Sequence, residues 1–287
     1  MADPFACFGD EDEDNHQATN ETDETRRLPE NGLLAFHSGT ERALLVHVQN
    51  NSTRNDAQSV LEGVDAFCTK RHWMMHVGPV KGNIVRNFLM ECAETVGRRP
   101  LVVLELGTYC GYSSVMMADA LRRSRVGTDF HVYSIEADPE NVDVSRSIIE
   151  FACLGSHISV LHLDLNQDHL VSLLHKSGVP NQVDFVFIDH DKSAYLPDLQ
   201  ALERANFVRK GTFVAADNIL FARIDDYRQH IERLSKHGVV RSKLVESVLE
   251  YSDVWATKDV KPIMVRDGIG KSGHQLFFVK VSCSLPK

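Results

Sequence analysis

The sequence predicts an α/β protein with a doubly wound, mostly parallel sheet, helices added at its front and an antiparallel hairpin at the sheet edge. Two observations carry this. From residue 101 onward, short apolar runs alternate with helical patterns, as strands buried on both faces by helices require. After the last helical pattern, two apolar segments follow with no helix between them, which fits an edge hairpin.

In order, residues 1–31 come first as a polar, acidic stretch without periodicity. It is expected to be a disordered tail, because it cannot bury enough apolar surface to offset the entropy of ordering. Residues 32–287 form the folded domain. Thr40 is a plausible N-cap for a helix with Leu44, Leu45 and Val48 on one face. A polar break at Asn50 to Asn55 precedes a second helix, capped by Asp56, with Val60, Leu61, Val64 and Phe67 on its apolar side. His76-Val77-Gly78-Pro79 reads as a loop, and a third helix carries Ile84, Val85, Phe88 and Leu89. Five strands follow at Leu101–Leu106, Val132–Ile135, Ile158–Leu163, Phe185–Ile188 and Thr212–Ala216. The helices between them are expected at Ser113–Arg123, Pro139–Cys153, Leu170–Lys176 and Leu196–Phe207. A last helix near Asp225–Lys236 leads to the hairpin segments Leu244–Tyr251 and Gln275–Val281.

Charge and cysteine usage exclude several functions. The net charge of the 287 residues is −9, and ten acids against Arg26 and Arg27 give the tail −8 of it. The net negative charge argues against nucleic acid and anionic membranes as partners, and the folded part is nearly neutral. The six cysteines form no CxxC pair, so neither a disulfide scaffold nor a zinc module is expected, and a reducing compartment fits. No apolar run reaches the ~18 residues of a membrane span. The acidic opening MADPFACFGDEDED resembles neither a secretory nor a mitochondrial leader. A cytoplasmic protein with a small-molecule substrate is expected, and a monomer is compatible with the sequence.

Sheets of this kind bind ligands at the carboxyl ends of their strands. The first strand ends Glu105-Leu106-Gly107-Thr108-Tyr109-Cys110-Gly111-Tyr112-Ser113. Its glycines allow a tight turn and close approach to a ligand, but the spacing is GxxxG rather than the GxGxxG of a dinucleotide fold. A carboxylate at Glu105 suits a positively charged ligand, such as the ammonium or sulfonium of S-adenosylmethionine. The second strand ends at Glu136, where a carboxylate can accept both ribose hydroxyls of an adenosine. Asp138 and Pro139 then start the next helix. The fourth strand ends Asp189-His190-Asp191-Lys192 and the fifth Asp217-Asn218. Two carboxylates and an amide oxygen make a hard half-shell of the kind Mg²⁺ takes. Lys192 could reach the same cavity, and a neighbouring cation favours its neutral, proton-accepting form.

With these residues together, roughly Gly39 to Tyr251 resembles the catechol O-methyltransferase family. The likeness rests on Ala57-Gln58-Ser59-Val60-Leu61-Glu62, Trp73-Met74-Met75-His76-Val77-Gly78, the long glycine-turn run, Tyr195-Leu196-Pro197-Asp198 and Leu249-Glu250-Tyr251. It implies a Rossmann-like class I methyltransferase fold with a seven-stranded sheet. It also implies Mg²⁺-dependent methyl transfer from S-adenosylmethionine to one hydroxyl of a catechol. By position, Asp189, Asp217 and Asn218 match the Mg²⁺ ligands, Lys192 the general base, and Glu250 the carboxylate on a catechol hydroxyl. Val77, Glu105, Gly107, Tyr109, Ser113, Glu136, Asn166, Gln167, Asp189 and His190 match the cofactor's surroundings. Trp73 and Met75 match the lip of the catechol pocket, which Lys192, Asn218 and Glu250 also line.

The chain departs from the family in three places. Asp191 stands where a tryptophan is usual, Phe221-Ala222 where a proline-containing loop often follows, and Asn166 where a serine is found. Two other functions stay open on sequence alone: an O-methyltransferase of the caffeoyl-thioester type, and a nucleotide-binding module without catalysis.

Overall fold

The structure is a computed structural model that describes residues 39–71, 74–97, 99–124, 129–219, 224–247 and 274–280. The acidic tail, Trp73, Phe221-Ala222 and Glu250 lie outside the described residues.

Three helices lead: α1 (Thr40–Asn51), α2 (Ala57–Lys70) and α3 (Gly78–Val96). Alternation then begins with β1 (Leu101–Leu106), α4 (Tyr112–Arg123), β2 (Phe130–Glu136), α5 (Pro139–Phe151) and β3 (Ile158–His162). It continues with α6 (Leu170–Lys176), β4 (Phe185–Ile188), a 3-10 turn (Lys192–Ala194), α7 (Tyr195–Arg204), β5 (Phe213–Ala216) and α8 (Asp225–Lys236). β6 (Arg241–Ser247) and β7 (His274–Lys280) follow.

The sheet has seven strands in the order β3-β2-β1-β4-β5-β7-β6. The first five are mutually parallel, and β7 runs antiparallel to both β5 and β6. The order reverses between β1 and β4, so the carboxyl ends of these two strands open the crevice where such sheets bind ligands.

Successive residues of the central strands face opposite cores. Val103, Phe185, Phe187, Phe213 and Ala215 pack with α1 to α5 on one side. Leu104, Leu106, Val186, Ile188, Val214 and Ala216 pack with α6, α7 and α8 on the other. Burying one such side chain contributes about 1.5–3 kcal/mol, so sheet geometry at the strand ends rests on two full layers.

Element ends differ from expectation where the backbone turns left-handed. Gly39 (φ 81°), not Thr40, is the residue before α1, and no side chain caps it. α5 stops at Phe151 and Cys153 takes φ 53°; α7 stops at Arg204 and Asn206 takes φ 61°. Gly78 and Pro79, expected in a loop, form the first turn of α3, where proline's missing N–H costs nothing. β6 starts at Arg241, three residues before the predicted Leu244. Asp56 and Asp138 cap α2 and α5 as expected, each accepting two backbone N–H groups.

Candidate active site

The glycine turn after β1 is built by close contact. Gly107 has φ 97°, and a Cβ there would collide with the backbone carbonyl of Asp189 at the end of β4. Glycine at 107 thus lets two neighbouring strand ends touch. Gly107 and Thr108 donate to the Ile135 carbonyl (3.0 and 3.2 Å), tying the turn to β2.

Beneath the turn, Glu105 is wholly buried. Its Oε2 accepts the hydroxyls of Ser114 and Ser134, and Ser134 in turn meets Thr108 Oγ1 at 2.6 Å. Its Oε1 has no partner among the described residues. Burial pushes the Glu105 carboxyl up to about 7, against the pull of hydroxyls from Ser113, Ser114 and Ser134, with the Asp189 charge adding to the rise. A buried carboxyl with one oxygen unspent is suited to a cationic ligand group.

Glu136 stands one strand away. Its Oε2 accepts the Tyr109 N–H (2.7 Å), while Oε1 accepts Ala137 and Asp138 N–H (3.0 and 2.9 Å). Burial raises its pKa, and these backbone donors oppose the rise. Oε1 is fully engaged by its two donors, whereas Oε2 keeps a lone pair for a ribose hydroxyl. Tyr109 itself is left-handed (φ 49°), and its hydroxyl donates to the buried Glu41 of α1 at 3.0 Å. The His76 ring lies 5.0 Å from that of Tyr109, so the loop before α3 leans on the same turn. Val77 is buried and Met75 half exposed at this edge. Ser113 is buried in the first turn of α4. Asn166 and Gln167 are exposed in the turn after β3, beside the Glu136 end of β2 but in no described contact with the other site residues.

On the far side of the crevice, Lys192 donates to Asp189 Oδ1 (2.8 Å) and to Tyr195 Oη (2.7 Å). The Tyr195 hydroxyl donates to the Asp217 carbonyl (3.1 Å), so lysine, tyrosine and the end of β5 form one chain. His190 pairs with Asp198 (2.9 Å) and stacks on Tyr195 with ring centroids 5.2 Å apart. Asp191 accepts Ser193 N–H (2.7 Å) and Oγ (2.5 Å), capping the 3-10 turn that carries Lys192.

Asn218 is left-handed (φ 59°), a conformation asparagine tolerates better than most residues, and its N–H donates to Asp217 Oδ1 at 2.7 Å. Asp217 Oδ2 is ion-paired with Lys81 of α3, which also reaches Asn218 Oδ1 at 3.4 Å. Asp189 is raised by burial, with the Lys192 and Lys81 charges opposing and the Asp217 charge adding.

Among the described residues, no three His, Cys, Asp or Glu side chains gather as a metal site. The candidate set is two carboxylates and an amide. Its donor chemistry fits a hard cation, since all three oxygens already sit against positive charge from Lys81 or Lys192.

The structure therefore joins Glu105, Gly107, Tyr109, Glu136, Asp189, His190, Lys192, Asp217 and Asn218 along adjoining strand ends. Lys81, Tyr195 and Asp198 are additional members. Lys81 carried a signal: it lies four residues before Val85 and eight before Leu89, on the apolar face of its helix.

This fold, with a glycine turn and two buried acids at its strand ends, is that of a ligand-binding parallel sheet, and the comparisons give its class. The family model described as O-methyltransferase matches residues 50–247. The catechol O-methyltransferase of Bos taurus is 35% identical over 221 residues, covering 77% of this chain and 75% of the bovine one. That of Mus musculus is 35% identical over 214 residues, 75% of each chain. The O-methyltransferase TomG from Streptomyces achromogenes, solved in complex with SAM, superposes with a TM-score of 0.54 at 18% identity, over 83% of this chain and 96% of its own. The chain belongs to the O-methyltransferase family and is an S-adenosylmethionine-dependent methyltransferase. Within that family it is similar to the catechol O-methyltransferases.

Proposed function

We propose that the protein transfers the methyl group of S-adenosylmethionine to one hydroxyl of a catechol, with Mg²⁺ in the site. What supports this most is one arrangement: the oxygens of Asp189, Asp217 and Asn218 stand on adjacent strand ends, with Lys192 bonded to the first of them. The names of its relatives point the same way.

Asp189, Asp217 and Asn218 would hold Mg²⁺, whose charge, when bound, favours ionisation of a hydroxyl placed against it. Glu105 takes the ammonium of the methionine moiety on its unspent oxygen, and Glu136 takes the ribose. Lys192 accepts the proton of the attacking hydroxyl, steadied by Tyr195. S-adenosylmethionine, when bound, would supply the methyl carbon: an O–C bond to the deprotonated hydroxyl would form as the C–S bond breaks, and the sulfur would leave with the bonding pair as a thioether. Well-placed intramolecular reactions gain about 7–11 kcal/mol, and the chain from Lys192 through Tyr195 to Asp217 gives the residues that fixed placement. Glu250, Trp73 and Met75 would bound the ring.

The test is product analysis by mass spectrometry over a panel of small catechols and a caffeoyl thioester, with and without Mg²⁺. Mono-methylated small catechols formed only with Mg²⁺ are expected. Turnover in excess EDTA, or of the thioester alone, refutes the proposal.

A further inference from the structure

We propose that Lys81 is a resident cation of the Asp217–Asn218 oxygens, a positioning residue that a divalent ion must displace. This rests on the metal reading above.

Lys81 is 2% exposed, and so is committed to whatever it meets inside the protein. Its ammonium lies against Asp217 Oδ2 and Asn218 Oδ1, two of the three oxygens that the metal reading requires. The remaining Asp217 oxygen is engaged by the Asn218 N–H. Two carboxylates and two ammonium groups, Lys81 and Lys192, leave the described set electrically balanced. A divalent ion adds two charges to this balance, beside an ammonium already seated on its ligands. Lys192 has a task in methyl transfer, whereas Lys81 has none. Its position is explained if it keeps a nearly inaccessible carboxylate paired and in place until the ion arrives. An unpaired buried carboxylate is costly, so the lysine protects the fold while weakening the metal.

The probe is Mn²⁺, counted by the EPR signal of the free ion, on the full chain without catechol or S-adenosylmethionine. Lys81→Gln keeps a hydrogen-bond donor for Asp217 but removes the charge. It should bind Mn²⁺ at least about tenfold more tightly than wild type, as the loss of one adjacent like charge predicts. It should also melt lower without metal and gain more in Tm when Mn²⁺ is added. Lys81→Arg, which keeps the charge, should stay near wild-type affinity.

Equal or weaker Mn²⁺ binding by a folded Lys81→Gln protein, beside a wild type that binds, overturns this inference and leaves the metal reading standing. Binding to neither protein overturns both. If Lys81→Gln folds only when Mn²⁺ is present, the inference is supported. If it folds under neither condition, the wild type decides through its ¹³Cε-lysine NMR spectrum. A Lys81 signal that moves on Mg²⁺ addition supports displacement, and one unmoved at saturating Mg²⁺ overturns it.

Discussion

Cofactor affinity is expected to depend on the proton at Glu105. This carboxyl is wholly buried, its pKa stands near 7, and one of its oxygens has no partner among the described residues. A ligand ammonium needs the ionised form. Below the folded pKa the site must first release a proton, so affinity falls as pH falls through about 7. With a pKa of about 7, the ionised fraction rises roughly eightfold between pH 6 and 7.5. An α-amino group of pKa about 7.7–8.0 loses part of its own charge by then, which trims the gain to roughly fivefold. Isothermal titration of S-adenosylmethionine across this range measures it, and Glu105→Gln isolates the contribution, since an amide does not titrate. Stability moves the other way. Between about 4.5 and 7 the folded state holds a proton that the unfolded chain has lost, so this group's contribution declines as pH rises through that window. Flat wild-type affinity, or an undiminished slope in Glu105→Gln, would falsify the assignment.

Three further outcomes are expected. Lys192→Met should lower kcat by about 10²–10⁴-fold while titration shows S-adenosylmethionine binding intact; kcat within a few-fold of wild type, with chemistry rate-limiting, removes Lys192 as the base. Gly107→Ala sets a methyl group against the Asp189 carbonyl at a left-handed φ, so cofactor binding and Tm should fall together, and a near-normal variant would mean the two strand ends separate freely. Asp191→Trp supplies the aromatic face usual in the family but deletes the cap on Ser193; loss of a cap costs about 0.5–2 kcal/mol, so Tm should drop by a few degrees, and unchanged Tm would show that the cap carries no weight.

The sequence was most legible where one physical requirement dominated. Strands buried on both faces have to be apolar throughout, and Phe185–Ile188 announces itself for that reason. Asp56 and Asp138 were readable as caps because a short side-chain acceptor just before an apolar-periodic run satisfies free backbone donors. The acids and glycines of the site were legible because strand ends are where a parallel sheet offers its ligands a seat. Lys81 was not, since its meaning depends on Asp217, which lies 136 residues away in sequence. The start of α1 was missed because Gly39 serves there by backbone conformation, without a capping side chain. The role of Asp191 was hidden for a related reason. Comparison with a usual tryptophan directs attention to what the residue lacks, whereas the fold uses it to hold Ser193.

The position of β7 between β5 and β6 has a consequence for how the molecule is made. β6 hangs from the sheet through β7, and β5 is flanked on that side by β7. During synthesis β7 leaves the ribosome after every other strand among the described residues. Until then β5, which leads into Asp217, presents a bare ladder of donors and acceptors, and β6 waits without its described partner. Pairing at this edge is thus deferred to β7, while β1, β2 and β3 can pair with one another earlier. A nascent chain would order the parallel strands around its glycine turn before the edge beside Asp217 has its neighbour.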